Sequence, residues 1–283
     1  MADPFKIAGP ANVSFSGGRT SGYMLHRILE AHGGRLPSDV HVLFSNTGDE
    51  LPPTLDFVRD VAANWNVPIH WLEYRLTLDD EPTYCVVDHE TASRDGKPFD
   101  LYLRHVERMT AAKGKEPYLP GPGNRFCTTE LKIRVMKKWM LDHGYEHWTN
   151  VVGIRYDEPK RWRKIDRTCP KERWELDLPL VDAETSVAEV KAFWTEQPFD
   201  LGLAGDWEGN CDLCHLKMPW KIIQMLKDYP ERAPRWLRRE ARAGKTFRPR
   251  GPSIKQLFQI SKRPGPVARE SDEYEIKCTG CTD

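Results

Sequence analysis

Ala11-Asn12-Val13-Ser14-Phe15-Ser16-Gly17-Gly18-Arg19-Thr20-Ser21 runs from a short apolar strand into two glycines and then into a helix. The strand reading covers Ala11–Ser16. In Ser21–His32, Tyr23, Met24, Ile28 and Leu29 recur at helical spacing, and His32-Gly33-Gly34 is the stop. Glycines permit positive φ and close backbone approach. N–H groups at the start of the following helix form a cradle for an anion. Ser16, Thr20 and Ser21 offer hydroxyls, and Arg19 supplies charge. The spacing is not G-x-x-x-x-G-K-[ST]. A Gly-Gly turn between strand and helix is also a common structural device, so both readings stand at this point.

Working outward, Val40–Ser45 is an apolar run ending in Asn46-Thr47-Gly48, a buried strand followed by a turn. Pro52-Pro53-Thr54 opens a second helix, with Leu55, Val58, Val61 and Ala62 on one face, and Ile69–Tyr74 is a third strand. Strand–helix–strand–helix–strand order predicts an α/β fold: a parallel sheet with helices on both faces. Residues 79–122 are rich in Pro, Gly and charge and read as an irregular insertion or lid, with a helix over Asp100–Thr110. Leu131–His143 reads as a helix, Trp148–Gly153 as a strand, Asp177–Val181 as a short strand and Val187–Trp194 as a helix. After Gly209 the chain turns basic, with helices expected over Pro219–Asp228 and Ala233–Ala243. The division predicted is a nucleotide-binding domain over 1–208 and a basic helical region over 209–283.

Of 283 residues, 39% are apolar and 30% charged, which suits a globular chain with a core. No apolar run approaches the roughly 18–20 residues of a membrane helix. Met1–Pro10 lacks a charged flank followed by an apolar run, so the expectation is a cytoplasmic protein without a secretory signal. The 42 Lys and Arg balance the 42 Asp and Glu, but unevenly. Lys217–Arg269 holds 15 basic and three acidic residues, a net +12, which leaves −12 on the rest. One reading is an electrostatic footprint for a phosphate backbone. The other is a solvated helical face whose charges pair with the acidic body.

Seven cysteines fit a reducing compartment. Cys211 and Cys214 form one C-x-x-C pair, Cys278 and Cys281 a second, and Cys127 stands apart. Thiolates in such pairs suit Zn²⁺ or an iron–sulfur cluster. Chemistry alone favours Cys211/Cys214 with Cys278/Cys281 as a zinc site. Cys85 and Cys169 read as buried, inert thiols. His215 can ligate a metal but reads as a surface histidine. Trp220 and Trp236 read as core packing rather than as base-stacking platforms.

Four blocks resemble a known family. Ser14–Ser21 resembles the S-x-S-G-G-K-D-S pyrophosphatase loop (PP-loop), with Arg19 and Thr20 in place of Lys and Asp. Phe44-Ser45-Asn46-Thr47-Gly48-Asp49-Glu50-Leu51-Pro52-Pro53-Thr54-Leu55 resembles the F-x-N-T-G-x-E-x-P-x-T-L block of phosphoadenosine phosphosulfate (PAPS) reductase-like proteins. Arg125–Lys132 is similar to their R-x-C-x-x-x-L-K block, and Gly153-Ile154-Arg155 with Glu158 to G-x-R-x-x-E. Gly209–Lys217 and Cys281-Thr282-Asp283 resemble the tail of a prokaryotic, often phage-borne branch.

The resemblance implies a Rossmann-like PP-loop (adenine nucleotide alpha-hydrolase) fold that binds ATP with Mg²⁺, or PAPS. By resemblance the nucleotide contacts fall on Ser14, Ser16, Gly17, Gly18, Arg19, Thr20, Ser21, Asn46, Thr47, Gly48, Glu50, Gly153 and Arg155. Asn46 and Glu50 are expected beside nucleotide or Mg²⁺, and Arg155 facing phosphates. The Lys-to-Arg change at Arg19 keeps charge and alters reach. Thiolating relatives imply a [4Fe–4S] cluster on Cys127, Cys211, Cys214 and Cys281, with Cys278 the alternate ligand and zinc the alternate metal. Catalytic roles fall on Arg19, Arg155 and Cys278. The implied function is a PP-loop ATP pyrophosphatase of sulfurtransferase type. It would form AMP and pyrophosphate for sulfur transfer or nucleic-acid modification, with a sulfur-donor protein and DNA or tRNA, held through 217–269, as partners. The alternatives are a PAPS or adenosine phosphosulfate reductase with a C-terminal cysteine nucleophile, and a non-catalytic nucleotide sensor with a structural cluster.

Overall fold

The computed structural model describes residues 3–121, 124–209 and 211–269. Its centre is a six-stranded sheet in the order β4-β3-β2-β1-β5-β6. The strands are β1 (Ala11–Ser14), β2 (Val40–Asn46), β3 (Ile69–Leu76), β4 (Pro82–Val87), β5 (Trp148–Val152) and β6 (Trp174–Asp177). All neighbours are parallel except β3 and β4. Val13 sits opposite Val42 on one side and Val151 on the other. β2 is buried along nearly its whole length, as an apolar run in a central parallel strand requires.

The chain leaves β1 through α1 (Arg19–Ala31) to reach β2, whereas β5 lies on the other side of β1. The strand order therefore reverses between β1 and β5, where open α/β sheets leave a crevice at the carboxyl ends of their strands.

Helices cover both faces. On one, Met24, Leu25 and Ile28 of α1 pack with Leu55, Val58 and Val61 of α2 (Pro52–Asn64) and with Trp194. On the other, Phe99, Tyr102 and Val106 of α3 (Lys97–Ala111) join Val135 and Trp139 of the helix Arg134–Asp142. That second core also holds Ile222, Met225, Trp236, Phe247, Ile254 and Leu257 from the basic part of the chain, packed with Leu43 and Leu72 of the sheet.

Two local expectations differ from the structure. The stretch read as irregular contains β4, an antiparallel edge strand, before the expected helix, which runs as α3. Pro82 is the first residue of β4, a place where a missing N–H costs no ladder bond. The strand expected over Asp177–Val181 is displaced upstream: β6 ends at Asp177, and Pro179–Asp182 forms a helical turn that proline can start. Among the described residues no helix is long and apolar enough to cross a membrane.

Candidate functional site

Gly17 has φ +77°, and a Cβ there would lie 2.8 Å from Thr54 Cγ2. Glycine is needed both for that backbone and for that contact. Ser21 then holds the loop. Its Oγ accepts from the N–H groups of Ser16 (3.2 Å) and Gly18 (3.3 Å) and donates to Gly18 O (2.9 Å). Ser21 and Thr20 are wholly buried, so Ser21 shapes the cradle rather than reaching out of it. Arg155 Nη1 donates to Thr20 Oγ1 at 2.9 Å, which seats a guanidinium against the first turn of α1. The positive end of the helix and this cation reinforce each other toward an anion. Arg19 turns the other way: its Nε donates to Asp200 Oδ1 at 2.7 Å, and this hydrogen bond raises the pKa of an already permanent cation.

A cavity of about 310 Å³ opens at the carboxyl ends of β1, β2 and β5, beside the strand-order reversal. Ser14, Phe15 and Ser16 of the loop, Ser45 of β2, and Asn150, Val152 and Gly153 around the end of β5 line it. The opposite wall is Lys132, Ile133 and Met136, with Trp174, Leu176 and Leu178 at one side. Thr129–Ile133 is a π-helical turn, a rare geometry that concentrates at functional sites. It presents Lys132, only 8% exposed, with Nζ 3.2 Å from Glu50 Oε1.

Glu50 also accepts from Thr47 N (2.8 Å) and Thr47 Oγ1 (2.8 Å). Asn46 donates to Glu73 Oε1 (2.7 Å) and Ser93 O (2.8 Å) and accepts from Gly48 N (3.0 Å). Gly48, at φ +79°, leaves no room for a side chain, since a Cβ would sit 2.9 Å from Gly96 Cα. Asn46 and Glu50 do not line this cavity, and their polar atoms tie β2, β3 and the turn before α3 together behind Lys132. Thr47 and Gly48 belong to the same support.

After β5, Arg155 N donates to Glu158 Oε2 (3.1 Å), and Arg155 Nε to Asp157 Oδ1 (3.0 Å). Arg161 Nη1 donates to Glu158 Oε1 (2.7 Å), while its Nε and Nη2 are buried without a partner. Two buried guanidiniums thus share Glu158, with Asp157 as a second, more exposed partner of Arg155, and the unpartnered N–H groups of Arg161 are donors that an anion would satisfy.

The cysteine pair is tied to the same loop. Cys211 forms an antiparallel bridge with Glu50, and Asp212 N donates to Asp49 O at 2.7 Å. Cys127 sits in the helical turn Phe126–Thr128, and Cys127, Cys211 and Cys214 are all half-buried. Among the described residues, no group of three or more His, Cys, Asp or Glu side chains is arranged to hold a metal ion. Cys278 and Cys281 lie outside the described residues. The three described cysteines do not by themselves make a cluster site, and the fourth ligand expected lies outside the described residues. His215 is not a surface residue: it is 4% exposed, stacks on Phe247, and is pushed down to about 4 by burial and by the neighbouring Arg248 and Arg125. Trp220 and Trp236 are core residues, as expected. Cys85 and Cys169 are half-buried rather than buried, and partial burial pushes both thiols up.

The basic region spends part of its charge on this loop. Arg239 Nη1 donates to Asp49 Oδ2 (2.8 Å) and Nε to Asp100 Oδ1 (2.6 Å), with its guanidinium over the rings of Phe99 and Trp236. Arg235 Nη2 lies 2.9 Å from Asp49 Oδ1 and 3.2 Å from Asp212 Oδ2. Arg232 approaches Asp212 at 3.4 Å, and Arg242 pairs with Glu107. The pairing reading of the basic segment holds for these four. Arg238, Arg250, Lys255 and Arg263 are exposed and make no ion pair among the described residues.

A relative 35% identical over 222 residues is the "Uncharacterized nin region protein ORF290" of Escherichia phage lambda. The match covers 76% of this chain and 69% of the relative. The chain belongs to the family of that phage lambda nin region protein. No family model matches. Among solved structures, a phosphoadenylyl-sulfate (PAPS) reductase from Candida auris, a phosphate complex, aligns at a TM-score of 0.41 with 15% identity, over 69% of this chain and 79% of that one.

In this member of the nin region family, reading the sequence missed Arg161, Lys132, Asn150, Asp49 and Asp212 as site or support residues. Arg161 follows Glu158 by three positions, a spacing at which helical side chains meet. Lys132, Asp49 and Asp212 lie within the quoted blocks, but their partners are far along the chain, and nothing local marks Asn150.

Proposed function

We propose that this chain is a PP-loop nucleotide-binding enzyme that takes an adenine nucleotide across the β1–β5 crevice. The observation carrying this reading is the seating of Arg155 on Thr20, at the start of α1, beside a cavity at the strand-order reversal. Loop N–H groups with Arg155 and Arg161 would hold phosphates, and the largely apolar cavity would take the nucleoside. ATP is the nucleotide favoured by the intact Gly17-Gly18 loop. The reaction proposed is adenylation: an acceptor oxygen bonds the α-phosphorus, the bond to the bridging oxygen breaks, and pyrophosphate leaves with that electron pair. The loop and the two arginines offset the charge of the leaving pyrophosphate, which is electrostatic stabilisation at the atoms where charge develops. Lys132 supplies a fixed cation at the cavity wall, held by Glu50. Sulfide-level sulfur from a donor protein would then bond the activated acceptor carbon as its bond to oxygen breaks and AMP leaves with that electron pair, and a nucleic-acid acceptor held through Arg238, Arg250, Lys255 and Arg263 completes the proposal.

Anaerobic ATP–pyrophosphate exchange tests it. Exchange that is abolished by Arg155→Ala is expected. Sulfite release from PAPS with a thiol reductant, and no exchange, would replace this reading by the reductase one.

A further inference from the structure

Most polar groups on the cavity wall are already committed. Ser45 Oγ donates to Leu131 O at 2.6 Å, Ser14 Oγ donates to Asn150 Oδ1 at 3.0 Å, and Lys132 is paired with Glu50. Asn150, on β5, is different. Its Oδ1 accepts from Asn12 Nδ2 at 2.7 Å as well as from Ser14, which holds the amide with its oxygen toward β1. The residue lines the cavity, and its Nδ2 has no hydrogen-bond partner among the described residues. Asn12, 2% exposed, has an Oδ1 that is also without a partner, so the Asn12–Ser14–Asn150 trio is not closed on itself. Buried polar groups are ordinarily satisfied, and such exceptions mark places where a ligand or water completes the set.

The wall around Asn150 is apolar: Met136, Val152, Trp174 and Leu176. A sugar needs several donors and acceptors, and here one neutral donor is uncommitted. A flat apolar ring with a lone pair on an edge nitrogen satisfies both features. The volume is at the small end of ligand pockets, which suits a nucleoside rather than a longer body.

We propose that Asn150 is the specificity-determining residue of this cavity, its amide N–H donating to a ring nitrogen of a purine base held against Met136 and Trp174. The inference rests on the reading that the cavity takes an adenine nucleotide, and names the side chain that recognises the base. A site built to hydrogen-bond a substrate atom rejects the analogue that lacks it.

Isothermal titration of the full chain with ATP and with PAPS identifies the tighter ligand. The 1-, 3- and 7-deaza forms of that nucleotide, each with one ring nitrogen replaced by CH, are then titrated into wild type, Asn150→Ala and Asn150→Asp. One deaza form is expected to bind wild type about tenfold more weakly than its parent, the loss of one hydrogen bond to a donor that the bound base shields from water. Asn150→Ala should bind parent and that analogue equally, and Asn150→Asp should weaken the parent, with melting curves reporting that both variants fold. Wild type binding all three analogues like the parent, or Asn150→Ala keeping the discrimination, overturns the inference and leaves the nucleotide reading intact. If neither nucleotide binds wild type, the nucleotide reading itself fails, and the assignment of Asn150 with it.

Discussion

Asp49 and Glu50 are consecutive, and each serves a different region. Glu50 faces the cavity side and holds Lys132, whereas Asp49 faces the C-terminal helices and holds Arg235 and Arg239. The two regions build their charge pairs differently. Around Asp49, three carboxylates meet three arginines drawn from distant parts of the chain, and Arg239 is further covered by Phe99 and Trp236. After β5 the pairing is local, with Arg155 and Arg161 both on Glu158, and on β5 itself Asn150 has an amide N–H without a partner among the described residues. Both regions keep buried N–H groups without partners, Arg232 Nε and Arg235 Nε in the first and Arg161 Nε and Nη2 in the second. A network that spans distant elements holds them together, whereas a local one beside the β1–β5 crevice leaves its donors for a ligand.

Removing a member of the Asp49 network should have the largest effect. Arg239→Ala leaves buried Asp49 with Arg235 alone, takes the guanidinium from Asp100 and uncovers Phe99 and Trp236, and should cost about 3 kcal/mol in denaturant unfolding. A cost below about 1 kcal/mol would mean that the network adds nothing to the fold.

Acid should weaken the same side of the molecule next. His215 is held neutral in the folded chain, its pKa lowered to about 4. Unfolded, it takes a proton near the ordinary value of about 6.5. Its contribution is therefore intact above roughly pH 6.5 and is lost as pH falls toward 4, to a total of about 3 kcal/mol. His215→Gln should flatten that part of the stability profile, and an unchanged profile in the variant would remove His215 as its source.

Gly48 joins the two regions, because it lies between Asn46 and Asp49. Gly48→Ala meets both a positive φ and a backbone atom at 2.9 Å. It should cost about 1–3 kcal/mol, and a neutral melting temperature would show that the turn readjusts.

The smallest stability effect is expected after β5, where Glu158 keeps Arg155 when Arg161 is removed. Arg161→Met should cost about 1 kcal/mol, because the lost ion pair is partly offset by removing two unpartnered buried N–H groups, while lowering nucleotide affinity on the order of tenfold, as titration would show. Equal losses of stability and affinity would make Arg161 a structural residue like Arg239, and the contrast between the regions would disappear.

The β1–loop–α1 unit was legible because its signals are local: glycines at the turn, Ser21 within five residues of the groups it holds, and apolar residues at helical spacing in α1. The parallel order of β1, β2 and β3 followed from the same short-range periodicity. The roles of Asn46 and Glu50 did not, since their partners Glu73, Ser93 and Lys132 come from β3, the turn before α3 and the π-helical turn. The charge pattern behaves likewise. The sequence alone determined that +12 sits on one segment. Only the tertiary structure decided that Arg232, Arg235 and Arg239 point into the protein, that Arg242 meets Glu107 at the surface, and that Arg238, Arg250, Lys255 and Arg263 point out. Helical periodicity sets which side chains share a face. Which face finds a buried carboxylate depends on packing between residues as far apart as Asp49 and Arg239, and no local pattern encodes that contact.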